Sequence, residues 1–157
     1  MAYPSVNEVI LHALGVVPNA HGLNNHMGSR ATADRHLMHT FMAALSQRVE
    51  HDFYFVDSRT TPRTVTRSAA ASQGIPYFSR DVFLDNVRSR HAIRRQLNEL
   101  LHRAMTRGSA IGIGHPYSET LDVLAQELPR IRDSGIRLVP VSKLPQREHV
   151  ASLLTPR

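Results

Sequence analysis

Short β-branched and aromatic runs alternating with helical periodicities of ten or more residues narrow the folds open to this chain more than any other feature. Asp52-Phe-Tyr-Phe-Val-Asp57 reads as a buried strand that stops at the polar segment Ser58-Arg-Thr-Thr61. Leu23 to His26, Ile75 to Phe78, Ala110 to Gly114 and Ile136 to Val141 read as further strands. Ser5 and Glu8 have capping-box spacing and open a first helix with Val6, Val9, Ile10, Ala13 and Leu14, which Gly15 is expected to stop. A second helix is predicted from Thr32 to Val49, with Leu37, Met38, Phe41, Ala44 and Leu45 inward, and a third from Val65 to Gln73. Ser79 to Asn86 reads as a loop with three apolar residues between acids. Ser89 caps a long helix that Gly108 ends, and Leu121, Leu124, Leu128 and Ile131 give the last helix its stripe from Ser118 to Gly135.

This alternation predicts right-handed βαβ units and an α/β fold with a mainly parallel sheet of about five or six strands. A complete eight-unit barrel takes about 250 residues. The 157 residues here therefore form an open sheet or an incomplete barrel. No repeat, low-complexity tract or linker divides the chain, so residues 1–145 read as one domain and 146–157 as a peripheral tail.

With no cysteine, disulfides, thiolate zinc sites and cysteine nucleophiles are excluded, whereas a histidine and carboxylate metal site stays open. No stretch is apolar for long enough to span a bilayer, and Met1 to Val9 lacks the organisation of a secretory signal. Export would require a signal upstream of Met1. The net charge of +6 raises a nucleic-acid reading. Its carriers are almost all arginines, scattered except for Arg88, Arg90, Arg94 and Arg95, and no aromatic residues interleave with that cluster as a single-strand stacking platform would need. A solvated helix face is the expectation there, with no nucleic-acid partner.

In parallel α/β folds, functional groups gather beyond the carboxyl ends of the strands. Asn24, Asn25 and His26 end the first predicted strand, and Asp57, Ser58 and Arg59 the second. Arg80 and Asp81 end the third, His115 the fourth and Ser142 the fifth. Imidazole and carboxylate are zinc ligands, and three from separate strands leave a position open for water. His26 and His115 lead as ligands; Asp57 can complete the set, serve as a base, orient a histidine, or simply fix a turn. His36 and His39 share a helix face beside Arg35, an arrangement more typical of solvent. Gly112 and Gly114 make half a dinucleotide fingerprint, but Tyr117 occupies the place of the third glycine. No P-loop or Gly-x-Ser-x-Gly elbow is present.

Five ordered blocks, Gly22-Leu-Asn-Asn-His-Met-Gly-Ser29, Phe55-Val-Asp-Ser-Arg-Thr-Thr61, Asp81-Val-Phe-Leu-Asp85, Ile111-Gly-Ile-Gly-His-Pro116 and Val139-Pro-Val-Ser142, resemble the divergent polysaccharide deacetylase family along nearly the whole chain. The resemblance implies an incomplete (β/α) barrel of the polysaccharide-deacetylase type and a divalent metal, zinc in the first place. It also implies hydrolysis of N- or O-acetyl groups on a carbohydrate polymer or oligomer in the periplasm or envelope. It makes His26 a metal ligand, His115 a ligand or general acid, Asp57 a ligand or catalytic group, and Arg59 a group that orients a carboxylate. Asn24, Asn25, Ser29 and Asp85 are the substrate-binding candidates of these blocks. Family members begin with a strand ending in paired aspartates that would supply a ligand and the base, and this chain starts after that point. Ala31 and Thr32 stand where the wider deacetylases carry a second histidine. The competing implication is a non-catalytic glycan-binding or envelope domain on the same fold; the oligomeric state is left open.

Overall fold

The computed structural model describes residues 5–50 and 52–145. Its first strands are β1 (Gly22–Asn24), β2 (Tyr54–Asp57) and β3 (Tyr77–Ser79), which pair in parallel in the order β1-β2-β3. A second parallel pair consists of β4 (Val82–Phe83) and β5 (Gly112–Ile113). The fold is α/β with parallel pairing, as the alternation predicted. Among the described residues five strands form two small sheets rather than one, and no barrel closes.

Helix α1 (Val6–Val16) begins with the expected capping box, in which the Glu8 amide donates to Ser5 Oγ and the Ser5 amide to the Glu8 carboxylate. It runs through Gly15, where an added Cβ would meet open space and where the backbone stays helical. The predicted Thr32–Val49 helix is two: α2 (Ser29–Ala33) and α3 (Arg35–Ser46). Asp34 breaks it, because its extended backbone and a side chain accepting from the Leu37 amide start a new helix. Leu37, expected inward, is exposed, and Met42 takes its place in the core. Helix α4 (Thr66–Ala71) follows β2. Ile10, Met42, Leu45, Phe55 and Ala70 pack around the first sheet as one core.

The stretch expected to be a loop after β3 contains β4. Val82 and Leu84 are buried while Phe83 is half-buried, the period-2 signature of a strand compressed into three residues. The amides of Asp81, Val82 and Leu84 donate to the Ile111 and Ile113 carbonyls, whereas the Arg80 amide still donates to the Asp57 carbonyl. The chain thus changes sheet between Arg80 and Asp81 without an intervening helix. Beyond it lie α5 (Arg90–Arg107), capped by Ser89 and ended by Gly108 at φ 80°, and α6 (Ser118–Asp133). Val82, Ile93, Leu97, Val123 and Ile131 form the second core; Leu121, assigned to the α6 stripe, faces solvent, and Val123 packs instead.

Three of the four clustered arginines reach acids of α6. Arg88 pairs with Glu119 at 3.0 Å, Arg90 with Asp122, and Arg94 with Glu127 at 2.7 Å. The predicted strand Ile136–Val141 is absent: 136–140 is irregular and 141–143 is a 3₁₀ turn. Leu138 is 63% exposed and Pro140 has no amide to donate, so no neighbouring strand pairs with this run. Ser142, expected at a strand end, sits in that turn. No helix among the described residues is long and apolar enough to cross a membrane. The tail 146–157, with His149, and His51 lie outside the described residues.

Candidate functional site

The carboxyl ends of β1, β2 and β5 and the β3–β4 crossing converge on one cleft of about 450 Å³, lined by residues that include Asn24, His26, Arg59, Arg80, Phe83 and His115. It therefore straddles both sheets. The rings of His26 and His115 meet edge to face with centroids 5.8 Å apart, although 89 positions separate them in the chain. Phe83 and Tyr117 hold the His115 ring from other sides, at 5.5 and 5.0 Å.

Asp85 fixes His115. Its Oδ2 accepts from the His115 amide at 2.5 Å and from Thr120 Oγ1 at 2.9 Å, and its Oδ1 faces His115 Nδ1 at 3.0 Å. Burial, with Asp85 only 4% exposed, pushes its pKa upward. The hydrogen bonds from His115 and Thr120 outweigh this and hold it below the ordinary carboxylate value. The approach depends on Gly114, whose added Cβ would stand 3.2 Å from Asp85 Oδ2. An imidazole with Nδ1 against a carboxylate keeps its proton there, leaving Nε2 as the nitrogen able to ligate or accept a proton. Asp85 was read from sequence as a substrate contact; the structure puts it beneath the cleft, behind His115.

Asp57, the last residue of β2, is fully buried. Its Oδ1 accepts from the Arg59 amide at 2.7 Å, and its Oδ2 from Thr64 Oγ1 at 2.8 Å and Tyr77 Oη at 3.0 Å. Burial and the Asp57 charge push the Tyr77 phenol well above its ordinary pKa, so it stays a donor. The contact to the Arg59 amide holds Arg59 in the left-handed region at φ 47°, a conformation that costs a non-glycine residue roughly 1 kcal/mol or more. The structure thus brings together His26, His115 and the Arg59 backbone loop but does not bring the Asp57 carboxylate to the imidazole pair. Among the described residues no three histidines or acids cluster to hold a metal ion.

The polar rim is mostly self-satisfied. Asn25 receives the Ser58 amide on Oδ1 and donates to the Met27 carbonyl, while Ser58 Oγ donates to the Asn25 carbonyl at 2.6 Å. Asn24 donates through Nδ2 to Ser58 Oγ at 3.3 Å and to the Asn25 carbonyl at 3.5 Å, and its side-chain carbonyl oxygen meets no donor among the described residues. Ser29 donates to the Thr60 carbonyl and lines a neighbouring depression instead of the cleft. Asp81 accepts the Ile111 amide and stands near Arg107, away from the cleft. His39, one of the helical histidine pair, contacts Ser72.

Sequence reasoning underrated Arg80, whose Nε and Nη2 donate to the Ser58 and Arg59 carbonyls at 2.6 and 3.0 Å while its guanidinium lies over Phe83. Partial burial and repulsion from Arg59 lower its pKa, against the pull of Asp57. Its position directly after β3 was the available signal.

The sequence pattern of the divergent polysaccharide deacetylase family matches residues 1–145. An uncharacterized protein of Haemophilus influenzae is 38% identical over 150 residues, covering 96% of this chain and 52% of that protein. The uncharacterized protein YibQ of Escherichia coli is 35% identical over all 157 residues and 48% of its own length. The chain spans about half the length of these curated relatives. A crystal structure of the uncharacterized protein ATU2773 from Agrobacterium tumefaciens superposes with a TM-score of 0.73 at 24% identity, over 78% of this chain and 48% of that one, which supports the fold. The chain belongs to the divergent polysaccharide deacetylase family.

Proposed function

We propose that this chain contributes the histidine-bearing part of a site for metal-dependent hydrolysis of acetyl groups on a carbohydrate polymer or oligomer. The observation that carries the reading is the pairing of His26 with an Asp85-oriented His115 at one cleft mouth. The donor set fits zinc in kind, since imidazole is a zinc ligand and two of them would supply half of a four-coordinate shell. Asp57, tied to Arg59, Thr64 and Tyr77, fills none of the remaining positions in this arrangement.

A bound divalent cation would polarise the acetyl carbonyl and bring the pKa of a bound water to about 7. The chain's own residues prepare the ground for that chemistry. Asp85 keeps Nε2 of His115 in the form that ligates or exchanges a proton with a leaving group. Asn24 presents an open carbonyl oxygen to a sugar hydroxyl or amide. Phe83 and Tyr117 restrict the His115 ring and shield one side of it from water.

Zinc titration of the 157-residue chain, followed by assay of acetate release from an N-acetylglucosamine oligomer, tests the reading. Stoichiometric zinc uptake that disappears in His26→Ala, with acetate release falling at least tenfold, is expected. Zinc binding and acetate release both indifferent to His26→Ala would end it. The lack of a third convergent ligand among the described residues favours one alternative, a glycan-binding domain without catalysis. Glycan affinity surviving both chelation and His26→Ala would select that alternative.

A further inference from the structure

The lining of the cleft carries basic side chains and no acid. Arg59 and Arg80 line it together with two imidazoles, and no aspartate or glutamate does. The buried acids Asp57 and Asp85 have both oxygens committed to protein donors. Five arginines elsewhere, Arg88, Arg90, Arg94, Arg103 and Arg130, do meet carboxylates. The Arg59 guanidinium is exposed and meets none among the described residues.

This charge is also built into place. Arg59 sits on a left-handed backbone fixed by a buried carboxylate, and Arg80 is drawn beside it by the Ser58 and Arg59 carbonyls. Two like charges at one mouth repel, and water alone offsets that poorly in a partly enclosed cleft. The loop carrying Arg59 continues to Arg63, which with Arg30 lines the adjoining depression; neither makes an ion pair among the described residues. The acid of that depression, Asp34, is engaged by the Leu37 amide. A neutral acetylated sugar leaves this arrangement unanswered, whereas the planar fork of arginine matches a carboxylate or phosphate in charge and shape.

We propose that the cleft selects an anionic saccharide, one carrying a carboxylate or phosphate near its acetyl group, and that Arg59 receives the oxyanion with Arg80 reinforcing it. This rests on the carbohydrate reading above and specifies its substrate class. Calorimetric titration of the 157-residue chain with N-acetylmuramic acid, N-acetylglucosamine 6-phosphate and neutral N-acetylglucosamine tests it. At least one acidic sugar binds tenfold or more tighter than the neutral one, and the stronger of the two distinguishes a carboxylate from a phosphate site. The preference falls steeply with salt and shrinks at least fivefold in Arg59→Gln, whose exposed side chain is removable without unfolding the chain. Equal affinity for neutral and acidic sugars, or a preference untouched by Arg59→Gln, overturns the inference and leaves the carbohydrate reading standing. Binding of none of the three sugars overturns both.

Discussion

Asp57 and Asp85 are both buried acids at or just past the carboxyl ends of parallel strands, both accept from three donors, and they do different work. The donors to Asp57 are a backbone amide and two hydroxyls, so it organises a loop and delivers Arg59 to the cleft. Two of the donors to Asp85 belong to His115, so it organises an imidazole. Burial and position alone therefore do not tell a scaffold acid from one that tunes a reactive group. The identity of the donors does.

The largest test of this contrast is Asp57→Ala. It leaves the Arg59 amide and the Thr64 and Tyr77 hydroxyls without their acceptor and is expected to cost about 3 kcal/mol of stability in urea unfolding. A loss under about 1 kcal/mol would mean that water replaces the carboxylate. Asp85→Asn keeps the shape and is expected to cost less, about 1–2 kcal/mol, while changing the tautomer balance of His115 in nitrogen-15 NMR. Asp57→Asn should leave the His115 spectrum unchanged; matching spectral changes in the two variants would erase the distinction.

Gly114→Ala sharpens the comparison from the backbone side. Its new methyl presses on Asp85 and Leu84, so a cost of about 1 kcal/mol with a disturbed His115 resonance is expected. The smallest effect belongs to an exposed acid used as a control. Hydrogen bonds from the Ser5 backbone and side chain hold the Glu8 carboxyl below its ordinary pKa of 4.5. Its contribution to α1 is complete above that value and fades as pH falls through the lower folded pKa. Helicity that drops slightly in acid, and no longer does so in Glu8→Gln, checks this.

Much of this layout can be read from the chain. Local chemistry announces the Ser5–Glu8 box, the Ser89 cap and the Gly108 stop, and the apolar run into Asp57 announces β2. The failures are those of tertiary context. Ile136 to Val141 has strand composition but no partner strand. Val82 to Leu84 has strand periodicity over too few residues to be distinguished from a loop. Missing β4 hid the site as well, since Asp85 lies two residues beyond it and reaches His115 across 30 residues. The break at Asp34 was readable as a cap, but the apolar periodicity running on either side of it masks the interruption. Arg80 shows no signal beyond its place, because backbone carbonyls are its partners and carry no sequence code.

The direct passage from β3 to β4 has a mechanical corollary. Two separately cored halves share their mouth, so whatever occupies it acts as a clasp across them, and occupancy and cooperative melting become one property. A filled mouth should make both halves melt as a single unit, and emptying it should loosen the seam at Arg80 before either interior.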